Sequence, residues 1–185
     1  MTRVINLLGA PGAGKSTAAA GLFYRMKKEF KSVELVTEYA KDLIYSGAEH
    51  RLVDQAFLFA EQHHRVSRLV GKVDYVITDS PLVLSAFYMP KDYPKEFEAF
   101  VMAMNARYDN VNLYLERDHP YKEEGRIHSE VQSRAIDKDL KGFLDWHGIA
   151  FQTLTTGDDV CDRLYEAVFS DCQVERKPNA GCRPA

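Results

Sequence analysis

Eight residues near the start of the chain, Gly9-Ala10-Pro11-Gly12-Ala13-Gly14-Lys15-Ser16, fit the pattern G-x-x-x-x-G-K-[ST] without a mismatch. What flanks them restricts the fold. Residues 4–8 form a short apolar run that stops at the glycines, which predicts a buried strand. Residues 15–30 place Ala18, Leu22, Phe23 and Met26 on one face, which predicts an amphipathic helix. A strand, a glycine loop and a helix in that order form a cradle for phosphate. Gly9, Gly12 and Gly14, with Pro11 and Ala13 between them, let the backbone turn tightly and aim successive N–H groups at phosphate oxygens. The helix adds the positive end of its dipole. Lys15 brings a full charge to the terminal phosphates, the Ser16 hydroxyl suits Mg²⁺, and Thr17 offers a hydroxyl to a more interior phosphate. The GTP-reading pattern Asn-Lys-x-Asp is absent from the sequence, which favours ATP.

The alternation continues to the end of the chain. Strands are expected at residues 33–37, 75–78, 111–115 and 150–154, and helices at 39–45, 51–70, around 97–104, 129–146 and 158–169. Alternating strands and helices specify a parallel sheet with helices on both faces. The expected architecture is therefore α/β, a P-loop NTPase fold with five parallel strands and a short lid at about 117–134. Residues 1–174 are read as one domain. Residues 175–185, with Lys177, Pro178, Gly181 and Pro184 and no periodicity, are read as a flexible tail.

Composition narrows the function classes. The net charge of -3 gives no global attraction to nucleic acid or to acidic membranes. No apolar run approaches the roughly 20 residues of a membrane helix, and residues 1–10 read as a strand entering a loop rather than a signal peptide. The three cysteines, Cys161, Cys172 and Cys182, lack CxxC spacing, which argues against a zinc site or a disulfide framework. A cytoplasmic setting is expected. A homodimer is compatible with the sequence, and a membrane partner is not expected.

In such sheets ligands lie beyond the carboxyl ends of the strands. Asp79 ends the third strand, where a carboxylate can serve Mg²⁺ or face an acceptor hydroxyl; it can equally cap a helix starting at Ser80-Pro81. Glu38 follows the second strand, where it can orient and deprotonate an acceptor hydroxyl, or simply favour the dipole of the next helix. On the long helix, Gln62 can read a base or amide, although a solvated Gln is the plainer reading, and Arg65 is a candidate substrate contact. His63 and His64 are adjacent on a helix, point about 100° apart and so chelate one ion poorly. Tyr24, Phe57, Tyr88 and Tyr108 are core aromatics or stacking surfaces for a base. After the fourth strand, the polar segment 116–126 resembles a nucleotide-kinase lid. Its Arg126 is the first candidate to stabilise a transferring phosphoryl group, followed by Arg117 and Arg134.

Four pieces together resemble the small P-loop kinases typified by ribosylnicotinamide kinases, including phage-encoded relatives. They are the loop through Thr17, Thr37-Glu38-Tyr39-Ala40-Lys41, Glu61-Gln62, and Thr78-Asp79-Ser80-Pro81-Leu82. The resemblance spans roughly residues 3–154. Glu-Tyr-Ala-Lys is similar to the family's Glu-Tyr-Ala-Arg. Asp-Ser-Pro-Leu departs from the Asp-Thr-Asp of ribosylnicotinamide kinases and is closer to the Asp-Arg-Ser of deoxynucleoside kinases, matching neither fully. The resemblance implies a Mg²⁺-dependent kinase that moves the γ-phosphate of ATP to a hydroxyl of a nucleoside-like molecule. Three alternatives remain open: a kinase of 5-hydroxymethyluridine in phage DNA, a nucleoside monophosphate kinase and a non-kinase P-loop ATPase. A monophosphate acceptor would call for an arginine pair such as Arg65 and Arg68, and a DNA acceptor for a basic track such as Lys91, Lys95 and Arg107.

Overall fold

The computed structural model describes residues 1–121 and 129–170. The strands are β1 (Arg3–Leu8), β2 (Val33–Val36), β3 (Tyr75–Thr78), β4 (Asp109–Glu116) and β5 (Gln152–Thr155). They pair in parallel in the order β2-β3-β1-β4-β5, which places β1 at the centre. The helices are α1 (Lys15–Lys28), α2 (Tyr39–Tyr45), α3 (Gln55–Ser67), α4 (Leu84–Phe87), α5 (Lys95–Asn105), α6 (Glu130–Trp146) and α7 (Val160–Ser170).

Helices cover both faces of the sheet, so the central strand is apolar on both. Ile5 and Leu7 point to one side and pack with Leu22 and Met26 of α1 and Leu164 and Val168 of α7. Val4 packs with Val66 of α3, and Leu8 with Leu140 and Leu144 of α6. A continuous apolar run is what a strand covered on both faces requires. Asn6 interrupts that run. Its buried side chain donates to the side-chain oxygens of Asn110 (2.8 Å) and Asn112 (2.9 Å) on β4, which offsets the cost of burying an amide.

Several boundaries differ from the sequence expectation for local reasons. The helix expected from residue 51 begins at Gln55, after a 3-10 turn at Glu49–Val53. Asp54 is its N-cap and accepts the Phe57 N–H at 3.1 Å, while the Tyr93 hydroxyl takes the Ala56 N–H at 2.9 Å. The helix after Asp79 starts only at Leu84, so Asp79 does not cap it. The middle of the expected lid, including Arg126, lies outside the described residues, as do the expected tail and Cys172 and Cys182.

The turn out of β1 is set by β4. Leu8 lies opposite Tyr114, so the chain must leave the sheet alongside Leu115. Gly9 does so at φ 139°, and a Cβ there would lie 2.6 Å from the Leu115 carbonyl oxygen. Gly14, the N-cap of α1, sits at φ 78° with nothing nearer than 3.9 Å to such a Cβ. Gly9→Ala therefore meets both strain and a backbone clash, and Gly14→Ala meets strain alone. Left-handed strain costs about 1–3 kcal/mol per residue. Urea titration should give a lower midpoint for Gly9→Ala than for Gly14→Ala, with both below the parent protein. The reverse order would contradict this account of the loop.

Candidate functional site

The loop between β1 and α1 sits at the carboxyl edge of the sheet, with the ends of β3 and β4 on either side. Gly14 caps α1 through its left-handed backbone with no side-chain cap bond, so no capping side chain occupies the helix mouth. The Lys15 ammonium bends back over the loop and donates to the carbonyls of Gly9 (2.8 Å) and Ala10 (3.2 Å). Thr17 is exposed on the first turn. From the far side Ser133, buried on α6, donates its hydroxyl to the Pro11 carbonyl at 2.7 Å and pins the loop to that helix. Sequence reasoning did not single out Ser133. A serine inside a helix carries no signal of a contact 122 residues away.

Asp79 is 2% exposed at the tip of β3. Its Oδ2 accepts from the Ser16 hydroxyl at 2.6 Å, and its Oδ1 is buried without a hydrogen-bond partner among the described residues. Two hard oxygen donors side by side, one with unused capacity, fit Mg²⁺. That ion takes one or two protein oxygens and fills its octahedron with phosphate and water. Lys41, in the first turn of α2, also reaches this point. Its ammonium donates to Ser16 Oγ, and lies 3.4 Å from Asp79 Oδ2 and 3.7 Å from Glu38 Oε2. Sequence reasoning noted Lys41 only as the residue standing where the resembled family has arginine. Among the described residues no three His, Cys, Asp or Glu side chains gather as metal ligands.

Glu38 occupies the N-cap position of α2 but makes no side-chain cap bond. Burial raises its pKa above the ordinary carboxylate value. Lys15 and Lys41 oppose the shift, and the nearby Asp79 charge adds to it. Tyr88, just past α4, feels the charge of the same carboxyl. Burial and the Glu38 charge push its hydroxyl up to about 12, so it remains a neutral hydrogen-bond donor at neutral pH.

Gln62 and Arg65 serve the fold around these acids. Gln62 is 4% exposed; its Oε1 accepts the Tyr39 N–H at 3.0 Å, and its Nε2 donates to the Thr37 carbonyl (3.4 Å) and Thr78 Oγ1 (3.3 Å). It therefore ties the end of β2 to the end of β3, with its amide given to backbone and hydroxyl rather than left to solvent. Arg65 pairs with Asp42 at 2.5 Å and lies over the Tyr39 ring at 4.7 Å. His63 hydrogen-bonds the Tyr108 hydroxyl and stacks on Phe59, so it is a packing residue.

On the β4 side cations and carboxylates are interleaved. Arg117 and Arg134 both donate to Glu130 Oε1, at 3.2 and 2.9 Å. The Arg117 side chain is 13% exposed, and its Nη1 is buried without a partner among the described residues. The Arg134 side chain is 74% exposed. Both line a cleft of about 560 Å³ that opens beside Ala10, Pro11 and Ala13 of the loop and is bounded by α6. The structure thus gathers Ser16, Glu38 and Asp79 on the β2–β3 side and Arg117 and Arg134 on the β4 side.

Solved structures of known proteins share this fold. The NadR protein, crystallised in complex with NR, aligns with a TM-score of 0.70 and 19% identity, over 97% of this chain and 54% of its own. This chain therefore spans about half the length of that protein. Thymidylate kinase from Ehrlichia chaffeensis aligns with a TM-score of 0.60 and 14% identity, over 94% of this chain and 100% of its own. No curated protein matches in sequence. No helix among the described residues is long and apolar enough to cross a membrane. The five-stranded parallel sheet and the glycine loop at its centre accord with the family model that matches residues 4–163, and the chain belongs to that family, described as the AAA domain.

Proposed function

We propose that the chain is an ATP-dependent phosphotransferase that moves the γ-phosphate of ATP to a hydroxyl of a nucleoside-like small molecule. The observation that carries this reading is geometric: Ser16 and Asp79, joined at 2.6 Å, stand beside the glycine loop, and Glu38 at the next strand end shares the Lys41 ammonium with them at 3.7 Å; burial raises the pKa of Glu38 in the direction a base requires. A base whose pKa lies nearer the working pH takes a hydroxyl proton more effectively than an ordinary carboxylate.

In this reading Gly9, Pro11, Gly12, Ala13 and Gly14 wrap the phosphates, Thr17 meets an interior one and Lys15 turns from the loop carbonyls to the terminal ones. Ser16 and Asp79 would hold Mg²⁺, which would supply charge neutralisation for the phosphates. The acceptor oxygen attacks the γ-phosphorus while its proton passes to Glu38. The bond from that phosphorus to the β–γ bridging oxygen breaks, and ADP leaves. Arg117 and Arg134 exchange Glu130 for the equatorial oxygens of the phosphoryl group, with Arg126 joining them from the lid.

Two acids beside the transfer point favour a neutral hydroxyl over an anionic acceptor. Arg65, the side chain a monophosphate would call for, is engaged by Asp42. These features support a nucleoside over a nucleoside monophosphate. The AAA description of the matched family favours a second reading, an ATPase without a small-molecule acceptor. Labelled ATP offered with free nucleosides, nucleotides, ribosylnicotinamide and hydroxymethylated DNA separates them. Transfer to a free nucleoside supports the proposal. Phosphate release at the same rate without any acceptor supports the ATPase, and transfer only to the oligonucleotide supports a DNA kinase.

Lys15→Ala should lower transfer by about 10²-fold or more, since it removes the charge aimed at the terminal phosphates. Circular dichroism should show the fold intact. Near-parental turnover would sink the role given to the loop.

Glu38→Gln should slow transfer by about 10²- to 10⁴-fold, and the acid limb of the parental kcat/KM profile, above the ordinary carboxylate range, should vanish. Stability should move the other way. The folded-state pKa of Glu38 is raised, so its contribution is fully present below the unfolded pKa of about 4.5 and is lost as pH rises through the higher folded value. Glu38→Gln keeps a neutral side chain at every pH. Its melting temperature relative to the parent should therefore rise between about pH 4 and pH 7. A constant difference across that window would refute the assignment of burial as the cause.

A further inference from the structure

Lys41 stands where two positive charges compete for one set of oxygens. Its ammonium hydrogen-bonds Ser16 Oγ and pairs with Asp79 Oδ2 at 3.4 Å and Glu38 Oε2 at 3.7 Å. Ser16 and Asp79 are the oxygen donors that fit a divalent ion. Asp79 is 2% exposed, and a buried carboxylate needs a counter-charge to stay folded. Lys41 is the cation paired with it. The Lys41 side chain is 41% exposed and carries its charge on a flexible four-carbon stem at the edge of α2, so a path out to solvent is open.

We propose that Lys41 is a tethered counter-cation: its ammonium holds the Ser16–Asp79 cradle together in the protein without metal and exchanges with the divalent ion that accompanies the nucleotide. The inference rests on the metal-dependent part of the function proposed above and not on the identity of the acceptor. Lys41 acts through Ser16 and Asp79, so it is a positioning residue. An ammonium and a divalent ion sharing Ser16 Oγ and Asp79 Oδ2 would repel at close range, and the divalent ion must do work to expel the lysine. Keeping the lysine lowers the metal affinity of the site and preserves its shape while the metal is absent.

Two measurements on the full chain test this. Mn²⁺ is titrated by electron paramagnetic resonance in saturating imido-ATP, and melting temperatures are taken in EDTA and in Mn²⁺ with imido-ATP. Lys41→Met should bind Mn²⁺ more tightly than the parent, by about tenfold. It should melt below the parent in EDTA, where Asp79 has lost its counter-charge, and the gap should close when metal and nucleotide are added. Lys41→Gln should behave in the same way and guards against a packing artefact of the methionine. Unchanged or weaker Mn²⁺ binding in both variants overturns the proposal. So does tighter binding with no loss of metal-free stability, because Lys41 would then be a mere neighbour and not the occupant. Failure of the underlying reading looks different: parental protein with no nucleotide-dependent Mn²⁺ site overturns the reading and this inference together. Normal Mn²⁺ binding with no phosphate transfer overturns the kinase alone.

Discussion

The hydrogen bond from Ser16 to Asp79 joins the first turn of α1 to the tip of β3 across 63 residues of sequence. It matters because the Asp79 carboxylate is almost wholly out of water. Burying an ionised carboxylate costs several kcal/mol unless charge and hydrogen bonds compensate. Here the compensation comes from two other segments, the Ser16 hydroxyl and the Lys41 ammonium. Three chain segments are thereby fixed around one oxygen atom. The arrangement depends on strand order. Because β3 lies directly beside β1, the acid that ends β3 meets the loop that ends β1.

Strand order also sets which side chains meet on each side of the loop. β3 and β2 lie to one side of β1 and present Asp79 and Glu38, while β4 lies to the other and presents Arg117. Consecutive strands thus diverge from the centre, which opens a crevice over the loop, the usual place for a ligand in such sheets. An anion at the loop has Asp79 and Glu38 on the β3 side, and on the β4 side Arg117 and Arg134 set among Glu116, Asp118 and Glu130. Gln62 keeps the acidic half in register. It bonds the backbone at Thr37 and Tyr39, on either side of Glu38, and Thr78, next to Asp79. The acids are therefore spaced by a buried amide rather than by loop conformation alone.

Much of this was legible in the sequence, because the legible parts are local. The glycine loop needs its φ values at Gly9, Gly12 and Gly14, and no other residue type supplies them cheaply. The apolar runs of β1 and β3 follow from burial on both faces, and α2 and β3 begin and end at the expected residues. The start of α3 was not legible, because apolar spacing runs on through Leu52 and Val53 and only the Asp54 cap decides where the helix begins. For Gln62 the sequence offers a base-reading amide or a solvated one and not the buried tie, because periodicity reports which residues are apolar, not which polar groups find partners when buried. In the sequence Lys41 is only a lysine where the resembled motif has arginine, and its contacts with Ser16 and Asp79 cross 25 and 38 residues of sequence. Nothing in the spacing of one segment encodes a meeting of three.

The same geometry sets a limit on how stable the acidic half can be. Burial raises the cost of ionising Glu38, and the Asp79 charge raises it further. A chain under pressure for stability alone would replace Glu38 with a neutral side chain, since Glu38 makes no cap bond with α2 and only a 3.7 Å pairing with Lys41 would be given up. The carboxyl instead sits where it is destabilising when ionised, beside cations that temper the shift without cancelling it. Lys15 and Lys41 both act in that direction, and both have other tasks at the phosphate loop.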